Sequence, residues 1–232
     1  MSTITENLEA VRSRIDAAAV RAGRSPGEVE LVAISKTHPA ESVREAADAG
    51  QELFGENRVQ EALVKIPLLP SRLRWHLIGH LQANKVRKAL PLFELIHGVD
   101  TMEIARNIDR IAADLGLFPR ILLEVNVSGE GSKHGFAPEA LESVLEELLS
   151  LPRVQVEGLM TMAPLATEAE ASRPHFAALR SLRDRLAERA GIPFPILSMG
   201  MSADFELAVQ LGATHVRVGS AIFGKRPPLV SE

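Results

Sequence analysis

Residues 120–127 read Arg120-Ile-Leu-Leu-Glu-Val-Asn-Val127 and run into the polar, glycine-rich loop Ser128-Gly-Glu-Gly-Ser-Lys-His-Gly135. A short apolar, β-rich run closed by turn-forming residues reads as a strand, and this one is the clearest in the chain. Toward the C-terminus, Leu141, Val144, Leu145 and Leu148 then fall at helical spacing. Val154 to Leu159 is a strand, a long helix buries Phe176, Leu179, Leu182 and Leu186, and Pro195 to Ser198 is a strand. A helix over Ala203 to Leu211 and a strand at His215-Val-Arg-Val218 complete that half.

The same alternation runs toward the N-terminus. Ile104, Ile108, Ile111 and Leu115 mark one helix face, and Phe93 to His97 precedes it as a strand. Before that come a strand at Leu73–Ile78 with a helix running to about Leu90, and a strand at Glu52–Gly55 with a helix from about Asn57 to Lys65. Val29 to Ser35 is the first strand, and Pro39 stands where the next helix can begin, since its missing N–H is an orphan there anyway. Ile4, Leu8, Val11 and Ile15 make the opening segment an amphipathic helix. Eight strands alternating with helices predict an α/β fold, a single closed (β/α)8 TIM-type barrel domain over residues 1–232 with an extra N-terminal helix. A doubly wound open sheet is the alternative. The extra helix is expected to cover the outer ring near the eighth strand.

A chain of 232 residues suits one barrel. Its 46% hydrophobic and 24% charged residues exclude a disordered chain. The net charge of -4, with both signs interspersed, argues against nucleic acid as a partner. Lys85, Arg87 and Lys88 read as a solvated helix face. No cysteine is present, which removes disulfides, thiolate metal sites and a cysteine nucleophile. With no apolar leader and no membrane-length apolar run, the expected location is the cytoplasm.

In such barrels the reacting groups lie at the C-terminal ends of strands, and phosphate is commonly held after strands seven and eight. Lys36 follows an apolar strand and precedes the Pro-started helix, where an amine drawn into the mouth could form an imine or could simply reach solvent. Ser198-Met-Gly-Met-Ser202 and Gly219-Ser220 follow strands seven and eight. Ser202 reads as a helix start, and backbone amides with a hydroxyl at such ends suit a phosphate monoester, although a plain N-cap is the competing role. Arg217 alternates with His215 and Gly219, so all three face one side, while Val216 and Val218 face the helices. Its acceptor is either a pyridine nitrogen or an internal carboxylate. His76 and His80 span a strand-to-loop change and are not a helical metal pair, and no metal site is expected.

Seven ordered segments give the chain a resemblance. They are Ala33-Ile-Ser-Lys-Thr-His-Pro39, Phe54-Gly-Glu-Asn-Arg-Val-Gln-Glu61, Trp75-His-Leu-Ile-Gly-His-Leu-Gln-Ala-Asn-Lys85, Val125 to Gly135, Gly158-Leu-Met-Thr-Met162, Ser198-Met-Gly-Met-Ser-Ala-Asp204 and Val216-Arg-Val-Gly-Ser-Ala-Ile-Phe-Gly224. Together they resemble the pyridoxal 5′-phosphate (PLP) homeostasis protein family, the YggS/PROSC-like fold-type III proteins, whose barrel is like the N-terminal domain of alanine racemase. The resemblance implies a Schiff-base lysine at Lys36 and a phosphate site of Ser202 with the Gly219 and Ser220 amides. It further implies Arg217 facing the pyridine nitrogen and Asn57 lining the ring. It implies storage and delivery of PLP with little turnover, by a monomer that meets PLP-dependent apoenzymes transiently. The rival is an amino-acid racemase. Against it stand the absence of tyrosine and a chain that is expected to stop just past the barrel without the racemase's C-terminal β-domain. A lysine-imine aldolase acting on a sugar phosphate is a further reading.

Overall fold

Eight parallel strands pair in chain order: β1 (Glu30–Ile34), β2 (Leu53–Glu56), β3 (Arg74–His80), β4 (Leu95–Val99), β5 (Arg120–Glu124), β6 (Gln155–Met160), β7 (Ile196–Ser198) and β8 (His215–Val218). In this computed structural model, which describes residues 3–130, 134–164 and 167–224, β8 pairs back onto β1 and closes the barrel. Closure decides against the open sheet. The helices are α1 (Thr3–Arg21), α2 (Ala40–Asp48), α3 (Val59–Lys65), α4 (Val86–Ala89), α5 (Met102–Leu115), α6 (Pro138–Leu149), α7 (Arg173–Ala190), α8 (Phe205–Gln210) and α9 (Ser220–Phe223). Among the described residues, no helix is long and apolar enough to cross a membrane.

Strand alternation sorts the side chains into two layers. Leu31, Ala33, Phe54, Trp75, Leu77, Ile121, Leu123, Val216 and Val218 face outward and join the helices in one continuous core. Full burial of such a side chain is worth roughly 1.5–3 kcal/mol, so this layer carries most of the stability. The interior holds two smaller apolar clusters, Val32 with Ile34, Leu53 and Ile78, and Leu95 with Leu122, Met160 and Ile196. α1 lays Leu8, Val11, Ile15 and Ala18 inward over the β8 end. There Asn7 Nδ2 donates to the Ile222 carbonyl at 3.0 Å, and the Arg14 guanidinium lies 4.6 Å from the Phe205 ring centre.

Several boundaries differ from the sequence expectation, each for a local reason. β3 runs on to His80, so His76 and His80 share a strand, with a register shift against β4 between Leu77 and His80. β4 starts at Leu95, because the Phe93 amide is held by the Ala89 carbonyl at the end of the preceding helical turn (3.2 Å). β5 stops at Glu124, because Asn126 bonds the returning loop instead, its amide reaching the Phe136 carbonyl at 3.0 Å. α8 starts at Phe205 and not Ala203, with Asp204 in the N-cap position and its Oδ1 accepting from the Met201 amide at 2.7 Å. Ser202 therefore lies in the turn before the helix and does not cap it.

The N-terminal floor of the barrel is stitched by charge. Arg74 donates to Glu94 (2.7 and 3.0 Å) and approaches Glu30 at 3.4 Å, and Arg120 bridges Glu94 (2.9 Å) and Glu157 (2.5 Å). These five residues, drawn from the starts of five strands, leave the opposite end for chemistry.

Candidate functional site

Alternation along β1 puts Val32 and Ile34 inside the barrel, and Lys36 stands in the same register at the strand exit, half-buried. Thr37 behind it has φ 68°, the left-handed region that a β-branched residue rarely adopts. Such strain persists only when the surroundings hold it. Here the Thr37 amide donates to Glu61 Oε1 at 2.6 Å, and Lys65 Nζ ties Glu61 (2.8 Å), Glu56 (2.6 Å) and the Ser35 carbonyl (2.9 Å) into one knot. Ser35 Oγ completes it by donating to Glu56 Oε1 at 2.7 Å. Burial pushes the Glu56 carboxyl up from its ordinary range, opposed by the Lys65 charge beside it. α3 thus braces the backbone on both sides of Lys36.

Beside this exit, Ser202 Oγ accepts the amides of Gly219 and Ala221, both at 3.4 Å. The hydroxyl and amides so gathered form a small donor-rich recess of the kind that takes a phosphate. Ser220 lies between them as the exposed first residue of α9. A side chain at Gly219 would be crowded, since a Cβ there would stand 3.2 Å from both Ile34 Cβ and the Ile34 carbonyl oxygen. The recess is therefore pressed against the strand that carries Lys36. Asn57 lies half-buried at the β2 exit, over Gly79, where an added Cβ would meet the Asn57 carbonyl at 2.4 Å.

Arg217 is buried on the inward face of β8, beneath the recess. Its guanidinium donates to Ser198 Oγ at 2.5 Å and to the Thr161 carbonyl at 2.9 Å, so neither acceptor is a carboxylate. Desolvation lowers its pKa to about 10, partly offset by the charges of Glu124 and Asp204, so it stays cationic at neutral pH. A guanidinium has five donors, which leaves further N–H groups for a ligand atom. Below it, Ser198 Oγ lies 3.0 Å from His97 Nδ1, and His97 Nε2 lies 3.0 Å from His76 Nδ1. Burial holds His76 down at about 3 and His97 well below the ordinary histidine range, so both are neutral. Glu124, inward on β5, is pushed up to about 7 by burial first and by the Asp100 charge second.

The sequence named Lys36, Asn57, Ser202, Arg217 and Gly219, which lie toward one end of the barrel. It missed the Ala221 amide, the Lys65 knot and the acidic pair Asp100–Glu124, because none of these is signalled by a strand-exit pattern. The pairing of β4 with β5 shifts register between Ile96 and Val99, just before Asp100.

The profile of the family described as "Alanine racemase, N-terminal domain" matches residues 6–227. A pyridoxal phosphate homeostasis protein of Aquifex aeolicus is 45% identical over 222 residues, which cover 95% of this chain and 97% of that protein. The chain belongs to the pyridoxal phosphate homeostasis protein family. A solved structure of PipY from Synechococcus elongatus PCC7942 with PLP bound matches this homeostasis-family barrel at a TM-score of 0.84 and 43% identity, over 95% of this chain and all of PipY. Alanine racemase of Clostridium difficile shares the fold at a TM-score of 0.73 and 18% identity, over 97% of this chain and 57% of the racemase. The pyridoxal phosphate homeostasis family is thus a barrel of the racemase type.

Proposed function

We propose that this chain binds PLP as a Schiff base on Lys36 and serves PLP homeostasis by holding the cofactor and delivering it, with little or no turnover. The observation that carries this reading is the convergence of three groups at one barrel end. They are the braced Lys36 exit, the Ser202–Gly219–Ala221 recess and the buried Arg217. Each fits one part of the cofactor: an amine for the aldehyde, amides and a hydroxyl for the phosphate, and a fixed donor for the ring nitrogen. Asn57 lines the ring, and Ser220 adds to the phosphate recess. When bound, PLP supplies an aldehyde carbon at which amines exchange and a ring that can accept electrons from a substrate.

The residues favour exchange over electron uptake. Arg217 donates a hydrogen bond but keeps its own proton at neutral pH, so it leaves a ring nitrogen unprotonated and the ring a weak electron sink. A racemase also needs a second base, and the chain contains no tyrosine to act as one. With PLP bound, an acceptor amine would take the place of the Lys36 amine, and the Ser202–Gly219–Ala221 recess would let the phosphate go. The acceptors are PLP-dependent apoenzymes met transiently by a monomeric, single-domain protein of the cytoplasm.

The test is the visible absorption of protein incubated with PLP. Lys36→Ala should abolish the band that wild type gains, and wild type should leave L-alanine unracemised over hours. A Lys36→Ala protein that keeps the band would overturn the assignment of the lysine. Appearance of D-alanine would move the racemase to the front, and a sugar-phosphate cleavage without any band would favour the aldolase.

A further inference from the structure

We propose that His80, Asp100 and His134 form a site for a divalent transition-metal ion, zinc being the ion their chemistry suits, at the rim of the barrel mouth. The three come from three neighbouring strand exits: the end of β3, the residue after β4 and the loop after β5. One ligand atom from each lies within 4.8 Å of the other two. Asp100 Oδ2 is 2.8 Å from His80 Nδ1 and 3.4 Å from His134 Nδ1. Two imidazoles and one carboxylate are the ligand types that zinc and its neighbours take, and three protein ligands leave a position open for water or for the carboxylate of an incoming amine.

Charge supplies the second, independent argument. The Asp100 side chain is only 4% exposed, and its other oxygen, Oδ1, is buried with no hydrogen-bond partner among the described residues. An orphaned buried acceptor costs about 1–3 kcal/mol, and more when charged. The Arg217 guanidinium gives its hydrogen bonds to Ser198 and Thr161 and not to Asp100. A bound cation would offset the buried Asp100 carboxylate.

The two imidazole rings are stacked, with centroids 4.5 Å apart and planes 19° apart. Coordination requires each to turn about its Cβ–Cγ bond until both lone pairs face one point. The His80 and His134 side chains are open to solvent, 40% and 61% exposed. The sequence hid the site: its ligands are far apart in the chain, and His76, the apparent partner of His80, is committed to His97 in the interior.

The test uses the full chain, PLP-loaded and stripped of metal by chelator, titrated calorimetrically with zinc chloride and separately with cobalt(II) chloride while visible d–d absorption is followed. One zinc per chain is expected, with cobalt bands of low-coordinate intensity. Because even outer-shell partners of a metal are worth about 10–100-fold in affinity, loss of a direct ligand in His80→Gln or His134→Ala should weaken zinc at least tenfold. His134→Ala sits on an exposed loop, and an unchanged melting curve will show that it folds. No zinc uptake, or uptake that is equal in wild type and both histidine variants, would overturn the proposal and leave the cluster as two imidazoles beside an acid. The same samples report the PLP band, so failure of the metal site and failure of the cofactor site are told apart.

Discussion

Arg217 gives two of its N–H groups to Ser198 Oγ and the Thr161 carbonyl, which leaves its other donors for a ligand. Ser202 is set up differently, with two long amide contacts of 3.4 Å that a phosphate oxygen could replace. Hydrogen bonds to charged groups contribute about 1.5–3 kcal/mol. Ser202→Ala should therefore weaken PLP roughly tenfold to a hundredfold while Lys36 still reacts, which fluorescence titration at equilibrium will check. The histidines make a pH prediction. Burial depresses His76 to about 3 and His215 to about 4. An unfolded chain takes up these protons below about pH 6.5, whereas the folded barrel refuses them. Their contribution to stability is complete above pH 6.5 and is lost progressively as pH falls toward the folded values. At pH 5 the loss for His76 alone is about 2 kcal/mol, at 1.36 kcal/mol per unit. Urea midpoints at pH 7 and pH 5 should show that loss in wild type and a drop about 2 kcal/mol smaller in His76→Gln.

The elements around Lys36 are joined by one side chain. Lys65 of α3 reaches the Ser35 carbonyl and both Glu56 and Glu61, and Glu61 in turn holds the Thr37 amide at its unusual φ of 68°. Glu56 is fully buried, so removing its partner leaves a buried charge uncompensated. Breaking a buried pair in this way costs about 3–5 kcal/mol. Lys65→Met should lose that much in urea unfolding, and Lys65→Met with Glu56→Gln should recover a large part of it. Much at this scale was legible from residue order. The common facing of His215, Arg217 and Gly219 follows from period-two alternation, which needs no tertiary knowledge, whereas the role of Asn57 came from the family resemblance alone. The knot was not legible, because nothing in Val59–Lys65 distinguishes a buried lysine from the exposed ones on any amphipathic helix. Asp100 was hidden by the register shift before Val99, which breaks the alternation that a strand pattern relies on. Ser202 was read as a helix start suited to phosphate, with an N-cap as the competing role, whereas Asp204 takes the N-cap position.

Across the whole molecule, stability and chemistry sit at opposite ends. The ion network of Glu30, Arg74, Glu94, Arg120 and Glu157 closes the floor, while Lys36, Ser202 and Arg217 belong to the strand exits. Half-exposed ion pairs are worth up to about 1 kcal/mol each, and less in salt. Arg74→Met should accordingly lower stability by about 1 kcal/mol with PLP affinity unchanged, as paired unfolding and binding measurements will show. Barrel closure itself could be inferred from eight alternations, yet only pairing of β8 with β1 distinguishes it from an open sheet.

The central claim is the bond to Lys36, and borohydride reduction of the PLP-loaded protein, followed by peptide mapping in a mass spectrometer, tests it most directly. A phosphopyridoxyl adduct on the peptide carrying Lys36, and loss of the visible band on reduction, is the predicted result. An adduct spread over surface lysines with Lys36 unmodified would contradict it.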